Sequence, residues 1–392
     1  MNKKNIHICS RCVYDETVPR ITFDETGVCN YCHLHDELEI QYPLGAEGER
    51  RLQQLASEIK ASARGNKYDC VIGVSGGCDS SYLLVRAVEL GLRPLAVHFD
   101  NTWNSPIATQ NIYKVIEKLG VDLETYVVDS REYDDILRSF MLGGTKDLEA
   151  PTDLGLAAVM YGAAQKHGLK YIIEGHSFRT EGVAPLDWVY MDGKYVSSVH
   201  RLFGKRPMNT YPLMTLWKFL YWTVILGIRR VRPLYHMEYD KEAVKKRLIA
   251  EYGWEWYHGH HLENRYTAFV VQHSYVQRWA ADLRYLGHAA NVRTGRMTRD
   301  EALEELKQPV VCAEDILRLV KKRFDFDDKT FDEVMHLPKK SWSDYPNYKK
   351  DFERLRPLFA ILVAAGRVPR SFYLKFCFPK QMGDMPEVKQ TT

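Results

Sequence analysis

The sequence has little excess charge, and it shows no N-terminal apolar run, internal repeat or low-complexity tract. Its 54 basic and 51 acidic side chains leave a formal net charge of +3, so the chain as a whole gives no case for binding nucleic acid or an acidic membrane. The first residues, MNKKNIHICSRC, lack the apolar core of a signal peptide, and a cytoplasmic location is therefore expected. At 392 residues the chain is long enough for two or more domains.

In a chain without a secretory signal, the eight cysteines are expected to be metal ligands or thiols rather than disulfides. Two C-x2-C pairs stand sixteen residues apart, a spacing typical of four-thiolate zinc sites: Cys9, Cys12, Cys29 and Cys32. So short a segment has too little core to fold unaided, so bound zinc would supply folding energy. Iron–sulfur ligation stays open because thiolates suit both metals. The other four are expected to be small apolar residues: Cys70, Cys78, Cys312 and Cys377.

A second motif, VSGGCDSS, lies between an apolar run and an amphipathic run of helical spacing. Gly76 and Gly77 lack Cβ atoms, so backbone N–H groups at a helix N-terminus can approach an anion closely, and phosphate is the expected anion. The motif lacks the lysine of the Walker loop. Asp79 would repel bare phosphate, which predicts that magnesium shares the site. Three hydroxyl donors accompany these residues: Ser75, Ser80 and Ser81.

Strand and helix patterns alternate from residue 69, which predicts a parallel sheet covered on both faces. The predicted strands are 71–74, 94–99, 123–128 and 171–174, and the predicted helices include 106–119, 133–141 and 154–167. Ligands bind at the carboxyl ends of the strands in such sheets. The residues that follow those ends are therefore the expected ATP contacts: His98, Asp100, Gly175 and His176. For His176, a hydrogen-bonded structural histidine is an equally supported interpretation.

Three domains are predicted: a four-cysteine zinc module over 1–40, a nucleotide-binding domain over 41–200 and a mainly helical region over 201–392. The stretch at 211–232, YPLMTLWKFLYWTVILGIRRVR, is the most apolar in the chain, but it is too short and too interrupted for a membrane span. A buried helix or an oligomer interface is the simpler interpretation. Peripheral contact with a membrane surface is the alternative.

Two polar clusters are further candidates. Arg179 and Glu181 follow the fourth predicted strand, where an arginine can neutralise phosphate or clamp a carboxylate, although residue type supports a solvated loop pair as well. A second metal site at 258–265 is the weaker hypothesis, because H-x-H-H-x-E is an unfamiliar ligand spacing. That cluster contains His258, His260, His261, Glu263 and Arg265.

Several stretches together resemble one family: CSRCVYDETVP with GVCNYC, SGGCDSSY, EGHSFRTEG running on to VYMDGKY, YHGHHLENRYTAF and GRMTRDEAL. SGGCDSS resembles the PP-loop of the ATP pyrophosphatases, which cleave ATP between the α and β phosphates. The full set resembles the N-acetyl sugar amidotransferases of bacterial surface-polysaccharide synthesis, of the WbpG type, from the first cysteine pair to about Tyr373. The resemblance implies an α/β fold of the PP-loop, adenine nucleotide alpha hydrolase-like class.

The resemblance also implies a reaction, the ATP-dependent conversion of an acetamido group to an acetamidino group. The expected substrate is a nucleotide-linked sugar, a UDP-diacetamido uronic acid, in lipopolysaccharide or O-antigen synthesis. Ser75, Asp79 and Ser80 would stabilise the departing pyrophosphate together with magnesium. The expected substrate contacts are Arg179, Glu181, His260, His261 and Arg265.

Family members of this type take ammonia from a separate glutaminase, which a barrel-shaped, cyclase-like subunit accompanies. This sequence has no recognisable glutaminase nucleophile motif, so the same two partners are expected here.

Two other functions fit parts of the sequence. A tRNA-modifying PP-loop enzyme would use the same adenylylation, but it should show a basic RNA-binding surface or a catalytic cysteine pair in the nucleotide domain. Only Cys78 stands beside the glycine turn. A membrane-surface scaffold built on 211–232 is a non-enzymatic alternative, and it leaves the intact phosphate loop unexplained.

Overall fold

The computed structural model describes residues 6–186, 188–257, 259 and 262–379. A five-stranded sheet lies at its centre, formed by β1 (Cys70–Gly73), β2 (Pro94–Asp100), β3 (Leu123–Val127), β4 (Tyr171–Ile173) and β5 (Arg229–Val231). The order across the sheet is β3-β2-β1-β4-β5, and every neighbouring pair is parallel. In the central register Cys70 pairs with Pro94, and Val71 pairs with Ile172.

Helices surround this sheet and form most of the chain beyond it. Those up to residue 203 are α1 (Asn30–Gln41), α2 (Gly45–Ser62), α3 (Cys78–Glu89), α4 (Pro106–Leu119), α5 (Ser130–Leu142), α6 (Ala150–Lys166), α7 (Phe178–Glu181) and α8 (Gly193–Phe203). The later ones are α9 (Leu216–Leu220), α10 (Lys241–Tyr252), α11 (Arg265–Phe269), α12 (Tyr275–Trp279), α13 (Arg284–Arg293), α14 (Arg299–Lys307), α15 (Glu314–Phe324), α16 (Asp328–Met335), α17 (Lys349–Arg354), α18 (Arg356–Ala364) and α19 (Arg370–Phe376). The π-helical segments are Tyr221–Ile225 and Val270–Ser274, and the 3-10 segments are Pro233–His236 and Trp342–Asp344.

Apolar residues cover both faces of the sheet. Val71 of β1 belongs to a cluster with Val97 of β2 on one face, and Ile72 belongs to a separate cluster with Ala96 and Leu83 on the other. This alternation along each strand is what a parallel sheet between two helical layers requires. The predicted α/β class, with a parallel sheet and a mainly helical C-terminal region, is confirmed.

The helix predicted over 106–119 has the bounds of α4, and local chemistry explains both ends. Ser105 is the N-cap, and its side chain accepts a hydrogen bond from the backbone N–H of Ala108, while Pro106 occupies the first turn, where its missing N–H costs nothing. Gly120 ends the helix at a φ of 63°, in the left-handed region that glycine adopts without a Cβ penalty. Local sequence is therefore enough to define this element.

One strand lies where the sequence predicts mainly helix. β5 joins the edge of the sheet beside β4, with Arg230 in register with Ile172. The side chains of Arg230 and Arg232 form ion pairs with Glu174, which follows β4. A three-residue strand that contains two arginines has neither an apolar run nor a usable period, so no sequence pattern marks it. The sheet therefore includes a strand from beyond residue 200, while the division into three domains stays a prediction.

The apolar stretch at 211–232 is half-buried. Leu216, Phe219 and Trp222 are buried in the core, as the buried-helix interpretation expects. Trp217 and Ile225 of the same stretch are 77% and 70% exposed. Among the described residues, no helix has the length and apolar character needed to cross a membrane.

The N-terminal segment packs against helices that come much later in the chain. Cys29 is the N-cap of α1, and Cys32 lies in its first turn. The four paired cysteines share an apolar cluster with Ala289 of α13 and Ala302 of α14. The four-cysteine segment and these two C-terminal helices therefore share one core.

Candidate active site and four-cysteine centre

The SGGCDSS motif forms the turn between β1 and α3, at the carboxyl end of the central strand. Gly77 is the N-cap of α3, so the first backbone N–H groups of that helix point out of the turn. Gly76 has a φ of 78°, and a Cβ added there would lie 2.0 Å from the carbonyl oxygen of Ala108. Only glycine fits that position, for conformational and steric reasons alike. The turn has the geometry of a phosphate-binding loop.

The loop hydroxyls bond within the loop. Ser75 Oγ lies 3.2 Å from Ser80 Oγ, and the backbone N–H of Gly77 donates to Ser75 Oγ at 3.2 Å. Ser80 Oγ also donates to the carbonyl of Gly77 at 3.2 Å, and Ser81 is buried behind the loop. Two hydroxyls and one N–H thus converge on a small area, where an anion can replace their mutual contacts.

Asp79 lies in the first turn of α3 and has two partners from the same later segment. The hydroxyl of Tyr239 donates to its Oδ1, and Lys241 Nζ lies 3.0 Å from its Oδ2. Burial raises the pKa of Asp79; the Lys241 ammonium opposes that rise, and the carboxylate of Glu181 adds to it. A carboxylate is the kind of oxygen ligand that magnesium prefers, and Asp79 is the residue that the sequence predicts for the ion. That role stays a prediction.

The end of β4 meets the same loop. A Cβ added to Gly175 would lie 3.4 Å from the backbone carbonyl carbon of Asp79, so the two backbones are in close contact. His176 Nδ1 is hydrogen-bonded to the carboxylate of Glu181. The structure therefore brings Gly175, His176 and Glu181 to the loop, as the strand-end argument predicts. Their ATP and substrate roles stay predictions.

The segment after α10 covers the loop from the side of α4. The indole N–H of Trp254 donates to the carbonyl of Gly76 at 2.9 Å. A Cβ added to Gly77 would lie 3.1 Å from Glu263 Oε1 and 3.3 Å from the Tyr257 hydroxyl. These residues border the phosphate loop although they lie some 180 positions later in sequence.

Sequence reasoning missed most of these later residues, namely Tyr239, Lys241, Trp254 and Tyr257. One weak signal was available for Lys241, which is the first residue of α10. A cation at a helix N-terminus is unfavourable beside the positive end of the helix dipole, so an anionic partner would offset that cost. Nothing in the sequence identifies Asp79 as that partner.

His98 is buried at the end of β2 and holds the sheet to the loop that follows it. Its Nδ1–H donates to the carbonyl of Val74 at 2.9 Å, and its Nε2 accepts from the amide of Asn104 at 3.0 Å. Burial lowers the pKa of His98, which fits the neutral ring that this pair of bonds requires. Asp100 accepts a hydrogen bond from the backbone N–H of Thr102 at 2.8 Å. Both contacts are structural, and an ATP contact at either residue stays a prediction.

Arg179 is buried and joins three segments. Its guanidinium donates to the carbonyls of Tyr235 and Tyr42 at 2.8 and 2.7 Å, and its Nε lies 3.3 Å from Glu39 Oε1. These bonds engage each guanidinium nitrogen, and burial lowers the pKa of Arg179. The side chain therefore holds the end of α1 against the 3-10 segment at 233–236, and a substrate contact at Arg179 stays a prediction.

Arg265, another predicted substrate contact, is the first residue of α11. The backbone N–H of Arg265 donates to the carbonyl of Trp103 at 2.9 Å, and Asn104 forms an antiparallel bridge with Asn264. These contacts place Arg265 beside the loop that follows β2. His258, His260 and His261 lie outside the described residues, so the roles predicted for them are not addressed by the structure.

The four paired cysteines form one buried cluster whose Sγ atoms all lie within 4.8 Å of one another. Cys12 Sγ is 3.7 Å from Cys29 Sγ, and Cys9 Sγ is 3.9 Å from Cys32 Sγ. Backbone N–H groups donate to the sulfurs, including that of Cys29 to Cys9 Sγ at 3.2 Å. Four thiolates at such spacing suit a tetrahedral zinc ion with no open position, and a structural role follows from that closure.

Comparison with known proteins finds a family match in the C-terminal region. Residues 263–358 match the family described as "LPS biosynthesis protein WbpG-like, C-terminal domain", about a quarter of the 392 residues. The uncharacterized protein MJ1599 of Methanocaldococcus jannaschii is 29% identical over 171 residues, which is 43% of this chain and 58% of that protein. The chain thus spans less than two thirds of the length of this relative.

Among solved structures, an NMN synthetase from Francisella tularensis aligns over 75% of this chain and 98% of its own. The TM-score is 0.33 at 15% identity, which is too low to assign a shared fold. The fold is therefore established by the parallel sheet and its loop, and the family likeness by residues 263–358. In that region the chain is similar to WbpG-like proteins of lipopolysaccharide biosynthesis.

Proposed function

We propose that the protein is an ATP-dependent amidotransferase that converts the acetamido group of a nucleotide-linked N-acetyl sugar to an acetamidino group. The expected substrate is a UDP-diacetamido uronic acid, and the pathway is lipopolysaccharide or O-antigen synthesis. The observation that carries the proposal is an intact phosphate loop, with Asp79 in its helix, in the same chain as a WbpG-like C-terminal region.

The chemistry requires activation of a poor electrophile. The amide oxygen of the sugar attacks the α-phosphorus of ATP, the bond to the β-phosphate oxygen breaks, and pyrophosphate leaves. The amide nitrogen loses its proton, and the product is an O-adenylyl imidate. Ammonia then adds to the imidate carbon, loses a proton, and the C–O bond breaks to release AMP. The AMP therefore carries away the oxygen of the acetamido group.

The loop residues would act on the phosphates. The Gly77 N–H and the hydroxyls of Ser75 and Ser80 lie in contact with one another. Together with the Gly76 N–H they would stabilise the departing pyrophosphate. Magnesium, held by Asp79, would neutralise charge on the phosphates. Lys241 would then lose its carboxylate partner and turn its ammonium to the phosphates, supplying the cation that the motif lacks.

The imidate intermediate also has to be protected from water, which would return it to amide. Trp254 and Tyr257 border the loop from the side of α4; Trp254 is buried and Tyr257 is half-buried. We assign to them the exclusion of water from the imidate carbon. This role depends on the bulk of the two aromatic rings and does not need a group that exchanges protons.

The decisive experiment is an isotope-labelling test that follows the acetamido oxygen of the sugar. The purified protein is incubated with ATP, magnesium, high ammonium and a UDP-diacetamido uronic acid whose acetamido oxygens are labelled with a heavy isotope. We expect equimolar AMP and pyrophosphate, with the label in AMP. Formation of ADP and phosphate, or of unlabelled AMP, would contradict the proposed activation step.

A parallel incubation with bulk tRNA in place of the sugar tests the tRNA-modifying alternative. Cys78 is buried at the start of α3, and burial raises the pKa of its thiol to about 11. A thiol of that kind is a poor nucleophile at neutral pH, because the thiolate is the reactive form. Sulfur transfer through Cys78 is therefore not expected. Pyrophosphate release that depends on tRNA, which reports adenylylation and needs no thiol, would contradict the sugar as the substrate.

The ammonia source is a separate proposal. We propose that a glutaminase and a cyclase-like barrel subunit supply ammonia, so the chain alone should use ammonium and fail with glutamine. Glutamine use by the purified chain would contradict that division of labour. Cytoplasmic location stays a prediction, and so does peripheral membrane contact, for which the exposed Trp217 and Ile225 would be the contacting residues.

A further inference from the structure

The four-cysteine cluster has an arginine against it that comes from the other end of the chain. Arg293 is the last residue of α13, and the residue is 7% exposed. Its Nε lies 3.3 Å from Cys32 Sγ, and its Nη2 lies 3.3 Å from Cys12 Sγ. The guanidinium also lies over the ring of Tyr14, 4.6 Å from its centroid. These contacts span more than 260 residues of sequence.

A buried guanidinium is costly unless a negative group faces it. Among the described residues, no carboxylate forms an ion pair with Arg293. Its Nε and Nη2 contact sulfurs, and its Nη1 is buried with no hydrogen-bond partner in that part of the chain. Neutral thiols would leave the cation without a counter-charge. Four thiolates on one divalent ion carry a net charge of −2, which the guanidinium partly neutralises while it donates to two of the sulfurs.

A second arginine holds the same helical pair to the cysteine turn. Arg299, the first residue of α14, donates from Nε to the carbonyls of Cys9 and Cys12, both at 3.1 Å. Ala289 of α13 and Ala302 of α14 are fully buried in the cysteine cluster. α13 and α14 thus contact the four-cysteine segment through charge, backbone hydrogen bonds and packing.

We propose that Arg293 is the counter-cation of a loaded four-thiolate zinc centre, and that this centre docks α13 and α14 onto the N-terminal segment. The ion then organises an interface between the two ends of the chain, in addition to the short segment that supplies its ligands. Arg293 is a positioning residue, since it contacts the ligands and not the ion. The proposal is independent of the amidotransferase activity.

Two variants separate charge from mechanical docking. Arg293→Met keeps the length and apolar stem of the side chain and removes its charge and donors, whereas Arg299→Met keeps the cation at the sulfurs and removes the bonds to the carbonyls. Zinc transfer from the full-length protein to a coloured chelator gives the release rate. We expect Arg293→Met to release zinc about 10- to 100-fold faster, the usual cost of losing a group that supports metal ligands. The zinc-release rate of Arg299→Met should stay within about twofold of the wild-type rate, because Arg299 does not contact the sulfurs.

Arg293→Lys refines the assignment. A lysine restores one positive charge without the two-pronged donor geometry of guanidinium, so its release rate should fall between those of wild type and Arg293→Met. Equal release rates in wild type and Arg293→Met would overturn the proposal, as would a protein that elemental analysis shows to hold no zinc.

The docking half is tested on the wild-type chain, which keeps the proposal falsifiable if a variant fails to fold. Backbone hydrogen exchange is compared before and after chelation of zinc. We expect residues 284–307 to lose protection together with the cysteine segment, while β1 and α3 keep theirs. Unchanged protection over 284–307 after metal removal would overturn the docking role.

Discussion

The four-cysteine cluster and the phosphate loop differ in how distant residues complete them. In the cluster, the four sulfurs lie against one another, Arg293 contacts three of them, and backbone N–H groups donate to the sulfurs. In the loop, Ser75 and Ser80 bond to each other, and Asp79 bonds to Tyr239 and Lys241. The four-cysteine cluster leaves no open ligand position. The phosphate loop contains polar groups that can exchange their present partners for an incoming phosphate.

This difference indicates a division of labour. A closed four-thiolate site contributes stability and no chemistry, because no position is left for a substrate. The loop is internally satisfied without a ligand, yet each of its bonds is a hydroxyl or ion-pair contact that rearranges at modest cost. We therefore expect substitutions in the cluster to act on folding and substitutions in the loop to act on rate.

The largest effect is expected from Cys29→Ser. Structural zinc in small sites contributes about 10 to 16 kcal/mol of apparent binding free energy, so loss of one thiolate should leave the segment without its metal and unfold it. Elemental analysis should show loss of zinc, and thermal denaturation should show a lower Tm. Cys312→Ser, at a lone cysteine outside the cluster, is the matched control and should change neither.

Gly76→Ala and Gly120→Ala form the next comparison, since both glycines have a positive φ, 78° and 63°. At Gly120 an added Cβ meets nothing within 4 Å, so only the left-handed backbone is penalised, by about 1 to 2 kcal/mol. At Gly76 the Cβ would collide with the Ala108 carbonyl, and the loop has to move. Gly76→Ala should lose pyrophosphate release by more than about 100-fold, as removal of the aligned donors implies. Gly120→Ala should lose stability alone; equal activity in the two variants would refute the assignment of the loop.

Asp79→Asn should reduce pyrophosphate release on the order of 100-fold, because an amide is a poor ligand for magnesium. The stability of the Asp79→Asn variant should instead be higher than that of the wild type at neutral pH. Folding raises the pKa of Asp79, so the wild-type carboxyl is best tolerated below its unfolded pKa, and stability is lost as the pH rises through the folded pKa. Asparagine does not titrate. As the pH rises above about 4, the ordinary pKa of an aspartate, the magnesium-free wild type should lose Tm relative to Asp79→Asn. A difference in Tm that stays constant with pH would contradict the burial of the charge.

Lys241→Met should have the smallest effect, roughly a tenfold loss of rate, in line with one charged hydrogen bond. Removing the ammonium also removes the charge that lowers the pKa of Asp79, so that pKa should rise further. The acidic limb of the pH–rate profile should therefore move to higher pH. Lys245→Met, four residues along the same helix and paired with Glu242, is the control and should keep the wild-type profile.

The sequence predicts what neighbouring residues determine. The sequence patterns that mark β1 to β4, α4 and the two cysteine pairs are apolar runs, caps and ligand spacing, all of which are local. β5 could not be predicted, because it has no apolar pattern of its own and its Arg230 is paired with Glu174, which is distant in sequence. The roles of Lys241 and Arg293 could not be predicted either, because each depends on a negatively charged partner that is distant in sequence and close only in the folded structure. His98 and Arg179 are the opposite case. Their positions at or after the ends of strands predict ligand contacts, whereas in the structure both side chains are buried and bond to backbone carbonyls.

The distance between the cysteines and Arg293 has a consequence for biosynthesis. Cys32 leaves the ribosome 261 residues before the arginine that caps its sulfur. At translation rates of roughly 5 to 20 residues per second, that interval lasts roughly 13 to 50 s. During this time the nascent chain presents four uncapped thiols, which are able to take up metal or to meet an oxidant. Metal supply to the growing polypeptide, rather than to the finished protein, would then determine how much of it matures.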